Sequence, residues 1–364
     1  MKHKGIGRRT FLTYGALSSA ALLVPKWALA ESDVLKVGVL FTSPVTEVGW
    51  VKQHHQAAYA LKDKYGDKVQ ISTVDNVYTP QDAERVFREF ASTGHQLIFG
   101  TSFSHGTPIQ RVAQRFPNVS FEHCAGIVQQ KNVGIFEAKY FEGSYVAGAA
   151  AAMASKSERI GFLGAFPVPD IVGAANGFLL GAQSINPNIT CTAMFLNSWF
   201  DPSAEKEAAN SLISQGCDVI CNMSNTVAAN QVCAERGVWS VGYASNMEAF
   251  GGGKQLTAYM LDWGAIYETA AKQVIAGTWE STSRWDGLAA GIIKMAPYND
   301  GLSADHIAQL KQIENDLASG AVQPFAGELR DQADTVRVAK GSVLSEEDTR
   351  HINWFVKGMV GQLA

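Results

Sequence analysis

The chain has 364 residues with 30 basic and 34 acidic side chains, a formal charge of −4. Residues 1–30 hold Lys2, Lys4, Arg8, Arg9 and Lys26 and no acid, so the remainder sets 25 basic against 34 acidic groups, a charge of −9. That sign offers no electrostatic footprint for phosphate backbones or anionic lipid, which excludes nucleic acid as an expected partner. A chain of this length exceeds what one compact core usually holds, and two lobes are expected.

Residues 1–30 read as a leader. Arg8 and Arg9 precede Thr10-Phe11-Leu12, a weakly apolar stretch runs to Val24, and Ala28-Leu29-Ala30 supplies the small residues a signal peptidase needs. The stretch is too short and too rich in Ser, Thr and Gly to span a bilayer. The arginine pair with Phe two places on resembles the twin-arginine export signal, which implies a periplasmic protein. No cysteine sits at the cut, so no lipid anchor is expected.

From Val34 onward short apolar runs alternate with helical patterns. Residues 34–41, 69–76, 97–102, 119–124 and 133–137 read as strands, and 52–65, 81–93 and 107–116 as helices. Thr79-Pro80 opens the second helix, with Ala83, Val86, Phe87 and Phe90 on one face. The same grammar restarts after a small-residue helix at 140–154. Strands at 160–165, 190–197, 218–223 and 240–244 are separated by helices at 174–185, 204–214 and 226–236. Two serial copies of one βα unit predict two parallel sheets, each covered by helices on both faces. The lobes are expected over 31–138 and 139–261. Parts of 262–297 return to the first and parts of 298–364 to the second, so the chain crosses more than once and makes a hinge. Past Tyr259 the pattern predicts a helix at 263–276, a strand at 291–295 and a helix at 304–319. A final helix is expected over Glu346–Leu363, with Ile352, Phe355, Val356 and Met359 on one side.

Catalytic and cofactor signatures are missing. There is no G-x-S-x-G elbow, no H-E-x-x-H and no G-x-G-x-x-G after the first strand. Gly251-Gly252-Gly253-Lys254 lacks the spacing of a phosphate loop and reads as a surface turn. His54 and His55, adjacent on a helix, point apart and read as a solvent-facing pair; His95, His105 and His123 have no recognisable partner. The five cysteines (Cys124, Cys191, Cys217, Cys221, Cys233) read as buried thiols, because Cys217 and Cys221 lie about 13 Å apart along a strand. No cofactor, no metal and no enzyme are expected.

Aromatic residues stand out near strand ends, where open α/β sheets bind ligands. These are Trp50, Phe103, Trp199, Phe200, Tyr243 and Trp263. Polar neighbours that could read a ligand edge include Asn222, Ser224, Asn225, Ser245 and Asp262.

Between Lys36 and Asn299 the chain resembles the basic membrane protein family of importer binding proteins, which includes purine-nucleoside receptors. The residues that carry the resemblance are Phe141-Glu142-Gly143-Ser144-Tyr145-Val146-Ala147-Gly148, Ile160-Gly161-Phe162-Leu163-Gly164, Gly177-Phe178 with Gly181-Ala182, Asn186-Pro187 and Ser198-Trp199-Phe200-Asp201-Pro202. Ile213–Asp218 and Arg111–Phe121 fit as well. The resemblance implies a type I periplasmic-binding-protein fold, two lobes on a three-stranded hinge. It also implies that Trp50 and Trp199 clamp a ring, with Phe103 adjacent. The family's ribose-binding acid is absent from Val241–Asn246, and its lysine from Thr257–Leu261. An aromatic clamp without sugar contacts suggests a free purine base, adenine-like first, read by Asp262 and Asn222. The expected protein is therefore a monomeric binder of a small molecule that closes about its hinge and docks on an ABC permease of the inner membrane. Other classes share parts of this pattern: a binder of nucleosides, sugars or amines, a ligand sensor for a membrane receptor, and an exported nucleoside hydrolase.

Overall fold

The structure is a computed structural model that describes residues 34–363. The leader read over residues 1–30 lies outside the described residues.

The first lobe is built in chain order from β1 (Leu35–Leu40), α1 (Gly49–Tyr65), β2 (Val69–Val74), α2 (Pro80–Ser92), β3 (Leu97–Gly100), α3 (Gly106–Arg115), β4 (Ser120–Cys124) and β5 (Val133–Ala138). The second repeats the plan with α4 (Tyr140–Ala154), β6 (Arg159–Gly164), α5 (Pro169–Ile185), β7 (Thr190–Phe195), α6 (Pro202–Ser214), β8 (Val219–Met223), α7 (Ala228–Arg236), β9 (Trp239–Ala244) and β10 (Gln255–Leu261). The chain then returns through α8 (Gly264–Ala276) and β11 (Ser283–Asp286), which pairs with β5 of the first sheet. It crosses again to β12 (Ile293–Met295), antiparallel to β10. Three crossings, after β5, β10 and β11, make the hinge. The rest lies on the second lobe: α9 (Ala304–Ser319) packs on α4, β13 (Ala326–Arg330) and β14 (Val336–Val343) form a hairpin, and α10 (Glu346–Arg350) precedes β15 (Met359–Val360) at the edge beside β7.

The sheet orders are β11-β5-β4-β3-β1-β2 and β12-β10-β9-β8-β6-β7-β15. Their parallel cores are the same, 2-1-3-4-5, counted within each lobe. In this order the connections change direction between the first and third strands, and the crevice beyond those strand ends is where a ligand enters such a sheet.

Local chemistry explains the elements. The strands are near-continuous apolar runs because both faces are covered, as in Val37, Val39 and Leu40 or Val219, Ile220 and Cys221, all fully buried. The hydroxyl of Thr79 accepts from the Asp82 amide at 3.1 Å and Pro80 takes the first helical position, so α2 starts where the sequence predicts. Helices α4 and α5 meet backbone to backbone. A Cβ on Gly148 would strike the Phe178 carbonyl, and one on Gly181 the Tyr145 carbonyl. This close seam is what the small-residue pattern encodes.

Three expectations need correction. The helix expected over Glu346–Leu363 ends at Arg350. Ile352, Phe355, Val356 and Met359 are buried as expected, but by an irregular segment whose backbone is claimed from outside. The Asn176 amide donates to the Trp354 carbonyl at 2.8 Å and its oxygen accepts from the Val356 amide at 3.0 Å. Helix α5 begins at Pro169, five residues before the expected Ala174, so its first turn reaches the interlobe crevice. Residues 255–261, to which the sequence pattern assigns no element, form β10, and β11, β13 and β14 are likewise additions to the predicted elements.

All five cysteines are free and buried. Burial pushes the Cys217 thiol up to about 11 and those of Cys221 and Cys233 to about 12. Among the described residues no helix is long and apolar enough to cross a membrane.

Candidate functional site

A narrow cavity lies between the lobes, beyond the carboxyl ends of the strands. The first lobe contributes Thr42 after β1, Trp50 in the first turn of α1, Thr101, Ser102 and Phe103 after β3, and Ala125 after β4. The second contributes Ala165 after β6, Asp170 and Ile171 at the start of α5, and Trp199 after β7. Met223, Ser224 and Asn225 follow from β8, and Tyr243 from β9. None of these lining residues is cationic, and Asp170 is the one acid.

Trp50 is pinned at its polar end, its indole N–H donating to the Thr101 carbonyl at 2.8 Å. Tyr243 of the other lobe faces it nearly in parallel, with centroids 6.5 Å apart and planes 18° from coplanar. Behind Trp50 stand His54, edge-on at 4.8 Å, and Trp263, edge-on at 5.5 Å. His54 is therefore a buried residue and not half of a solvent-facing pair; it stacks on Trp263 and shares a 3.0 Å hydrogen bond with the Tyr267 hydroxyl. His55 leans instead on Tyr59.

The histidines that looked partnerless hold the first lobe's loops. His123 donates through Nε2 to the Ser102 carbonyl at 2.8 Å, and His105 likewise to the Val77 carbonyl at 2.7 Å. Burial holds both imidazoles down at about 4, so they are neutral at ordinary pH. The second lobe holds its loop with a buried carboxylate. Glu205 accepts from Asn222 Nδ2 at 3.0 Å, from the Thr226 hydroxyl at 2.8 Å and from the Ala229 amide at 2.9 Å, and also from the Ser224 hydroxyl. That network fixes the turn after β8, whose Ser224 and Asn225 lie on the cavity wall.

Of the residues the sequence nominated, Trp50, Phe103, Trp199 and Tyr243 come together at this cavity. Phe200 lies one step out, in an open vestibule that shares Thr42, Phe103 and Trp199 with it. Asn222 is displaced because its amide belongs to the Glu205 network. Ser245 gives its oxygen to α1, accepting from the Gly49 amide at 2.9 Å. Asp262 stands on the surface paired with Lys294 at 2.8 Å, because β10 leads into the hinge and not into the crevice. Trp263 is core, serving as a buttress for Trp50.

Sequence reasoning missed Thr42, Thr101 and above all Asp170. Burial raises the Asp170 carboxyl to about 6, against the lowering effect of its own backbone N–H and that of Ile171. The signal was there: Val168-Pro169-Asp170 has proline at the first helical position, just past the end of β6.

Comparison with known proteins agrees with this geometry. Residues 34–323 match the family described as Bmp, ABC transporter substrate-binding protein PnrA-like. A purine-binding protein of Brucella abortus (strain 2308) is 38% identical over 92% of this chain and 96% of its own length. A protein of Haloferax volcanii named for glucose binding by an ABC transporter is 32% identical over 82% of this chain and 76% of its own. The solved structure of an ABC transporter solute-binding protein from Aeropyrum pernix K1 superposes with a TM-score of 0.70 at 17% identity, covering 79% of this chain and 92% of the other. Its type I periplasmic-binding-protein architecture is the one seen here. The chain belongs to the Bmp family of ABC transporter substrate-binding proteins: it binds a small molecule for a permease and is not an enzyme.

Proposed function

We propose that the chain captures a free purine base, adenine-like first, between its lobes and delivers it to the permease from the periplasm, after export by the twin-arginine route. The observation that carries the ligand reading is the cavity wall: aromatic faces from both lobes around a single carboxyl group, with no cation. Aromatic faces suit a flat heterocycle, each stacked base contributing roughly 1–3 kcal/mol. The Asp170 carboxylate suits ring N–H donors, and the Thr42 hydroxyl suits the remaining edge. The purine-binding relative from Brucella supports the same class. Trp50 and Trp199, one from each lobe, are the proposed clamp.

Thermal shift of the mature protein against bases, nucleosides, sugars and amines, followed by calorimetry, tests this reading. A ligand at about 100 times its Kd should add roughly 2.7 kcal/mol of stability. Adenine is expected to shift the protein, and Trp199→Ala to abolish the shift. A shift with nucleosides alone would make the sugar-free reading wrong, and a shift with sugars alone would end the clamp argument.

A further inference from the structure

Helix α1 brings no cap of its own. Its N-cap residue, Val48, has no side-chain acceptor, and its first turn contains no acid. Two of the amides left open at that end are satisfied by the opposite lobe. The Gly49 amide donates to Ser245 Oγ at 2.9 Å and the Trp50 amide to Asn225 Oδ1 at 3.1 Å. Gln53, one turn on, adds Nε2 to the same Ser245 oxygen at 2.7 Å.

The second lobe is shaped for this contact. Ala244 takes φ 62°, a left-handed conformation rare for a residue with a side chain, and thereby turns the chain at the end of β9 so that Ser245 meets α1. The Asn225 amide is oriented by its other end, Nδ2 donating to the Trp199 carbonyl at 3.2 Å. One side chain thus links the backbones of Trp50 and Trp199, which stand on opposite walls of the cavity. Gly49, at φ 87°, is the close approach on the first-lobe side, where a Cβ would lie 3.4 Å from the Asn225 carbonyl oxygen.

We infer that Ser245 and Asn225 are positioning residues that cap α1 across the interlobe gap and so hold the lobes shut on a ligand. Ser245 does this without lining the cavity. Opening exposes two backbone donors and breaks the Gln53 bond, so the cap acts on release more than on capture. The inference applies to any ligand the cavity encloses; its kinetic test with adenine rests on the purine reading.

The experiment is stopped-flow binding of adenine to wild type, Ser245→Ala and Ser245→Thr, read by tryptophan fluorescence. Amide exchange of the segment holding Gly49 and Trp50 is followed alongside, with and without adenine. Ser245→Ala is expected to raise the dissociation rate roughly three- to tenfold, leave the association rate within about twofold, and speed exchange of that segment. Ser245→Thr, which keeps the hydroxyl, should restore both. An unchanged dissociation rate in Ser245→Ala, with adenine still bound, overturns the inference. If adenine does not bind wild type, the purine reading fails and the exchange decides alone: faster exchange in Ser245→Ala supports the cap, and equal exchange removes it.

Discussion

In the first lobe the loops that face the cavity hang from neutral imidazoles, His123 on the Ser102 carbonyl and His105 on the Val77 carbonyl. In the second lobe the corresponding loop after β8 hangs from a carboxylate, Glu205, through an amide, two hydroxyls and a backbone N–H. The strand order of the two parallel cores is the same. What differs is the sign of the group that satisfies the loop: donors reaching for carbonyls on one side, an acceptor gathering donors on the other. Topology sets where the loops go, and each lobe solves separately the problem of burying their polar groups.

The largest expected effect strikes the second lobe. Glu205→Ala leaves the buried Thr226 hydroxyl and Ala229 amide without their acceptor and takes one from Asn222 and Ser224, and should cost about 3 kcal/mol in urea unfolding. Glu205→Gln, which keeps one acceptor, should cost less. An equal and small loss in both would mean that the carboxylate does not organise the loop.

A smaller effect separates the lobes by pH. The folded-state pKa of His123 is depressed to about 4 from an ordinary value near 6.5. Its neutral burial therefore contributes stability that is present above pH 6.5 and lost as pH falls toward 4. Glu122, raised to about 7, and Asp170, raised to about 6, have the opposite sign, since they favour the folded state at low pH. Total stability mixes these contributions, so the difference between wild type and His123→Gln is the quantity to follow. That difference should shrink by about 2 kcal/mol between pH 7 and pH 4.5. A difference that stays constant would show that His123 titrates normally.

The smallest effect concerns the ligand. If the ionised Asp170 carboxylate accepts a ring N–H, adenine affinity should hold above pH 6 and fall by up to about tenfold per pH unit below it. Asp170→Asn should bind more weakly and flatten the profile. Calorimetry from pH 5 to 8 distinguishes this from affinity that rises on acidification, which would assign the neutral carboxyl as the partner.

Much of the fold was legible because buried parallel strands write themselves as apolar runs and α2 announces itself with Thr79-Pro80. The α4–α5 seam was legible as a small-residue pattern, though not as a backbone contact. Periodicity misled at Glu346–Leu363, where the spacing of Ile352, Phe355 and Met359 fits a helix. The Asn176 bonds that hold the segment open come from 178 and 180 residues away. For the site, strand ends picked out the aromatics but could not sort the polar residues beside them. Asn222 and Asn225 lie three apart, one within β8 and one just past it, and the bond that draws Asn222 to Glu205 is not written in that spacing. Asp262 follows a strand as Ser224 does, but its strand borders the hinge. Asp170 escaped notice because the start of α5 was set five residues too late.

The cysteines carry a consequence for redox behaviour. With all five thiols buried and, where burial acts on Cys217, Cys221 and Cys233, held in the protonated form, the described fold asks nothing of an oxidant. It should assemble equally in a reducing cytoplasm and in air. The same concealment leaves the native thiols a silent background, so a pair of cysteines introduced on the two lobes could carry fluorophores and report, in real time, the opening and closing of a single molecule.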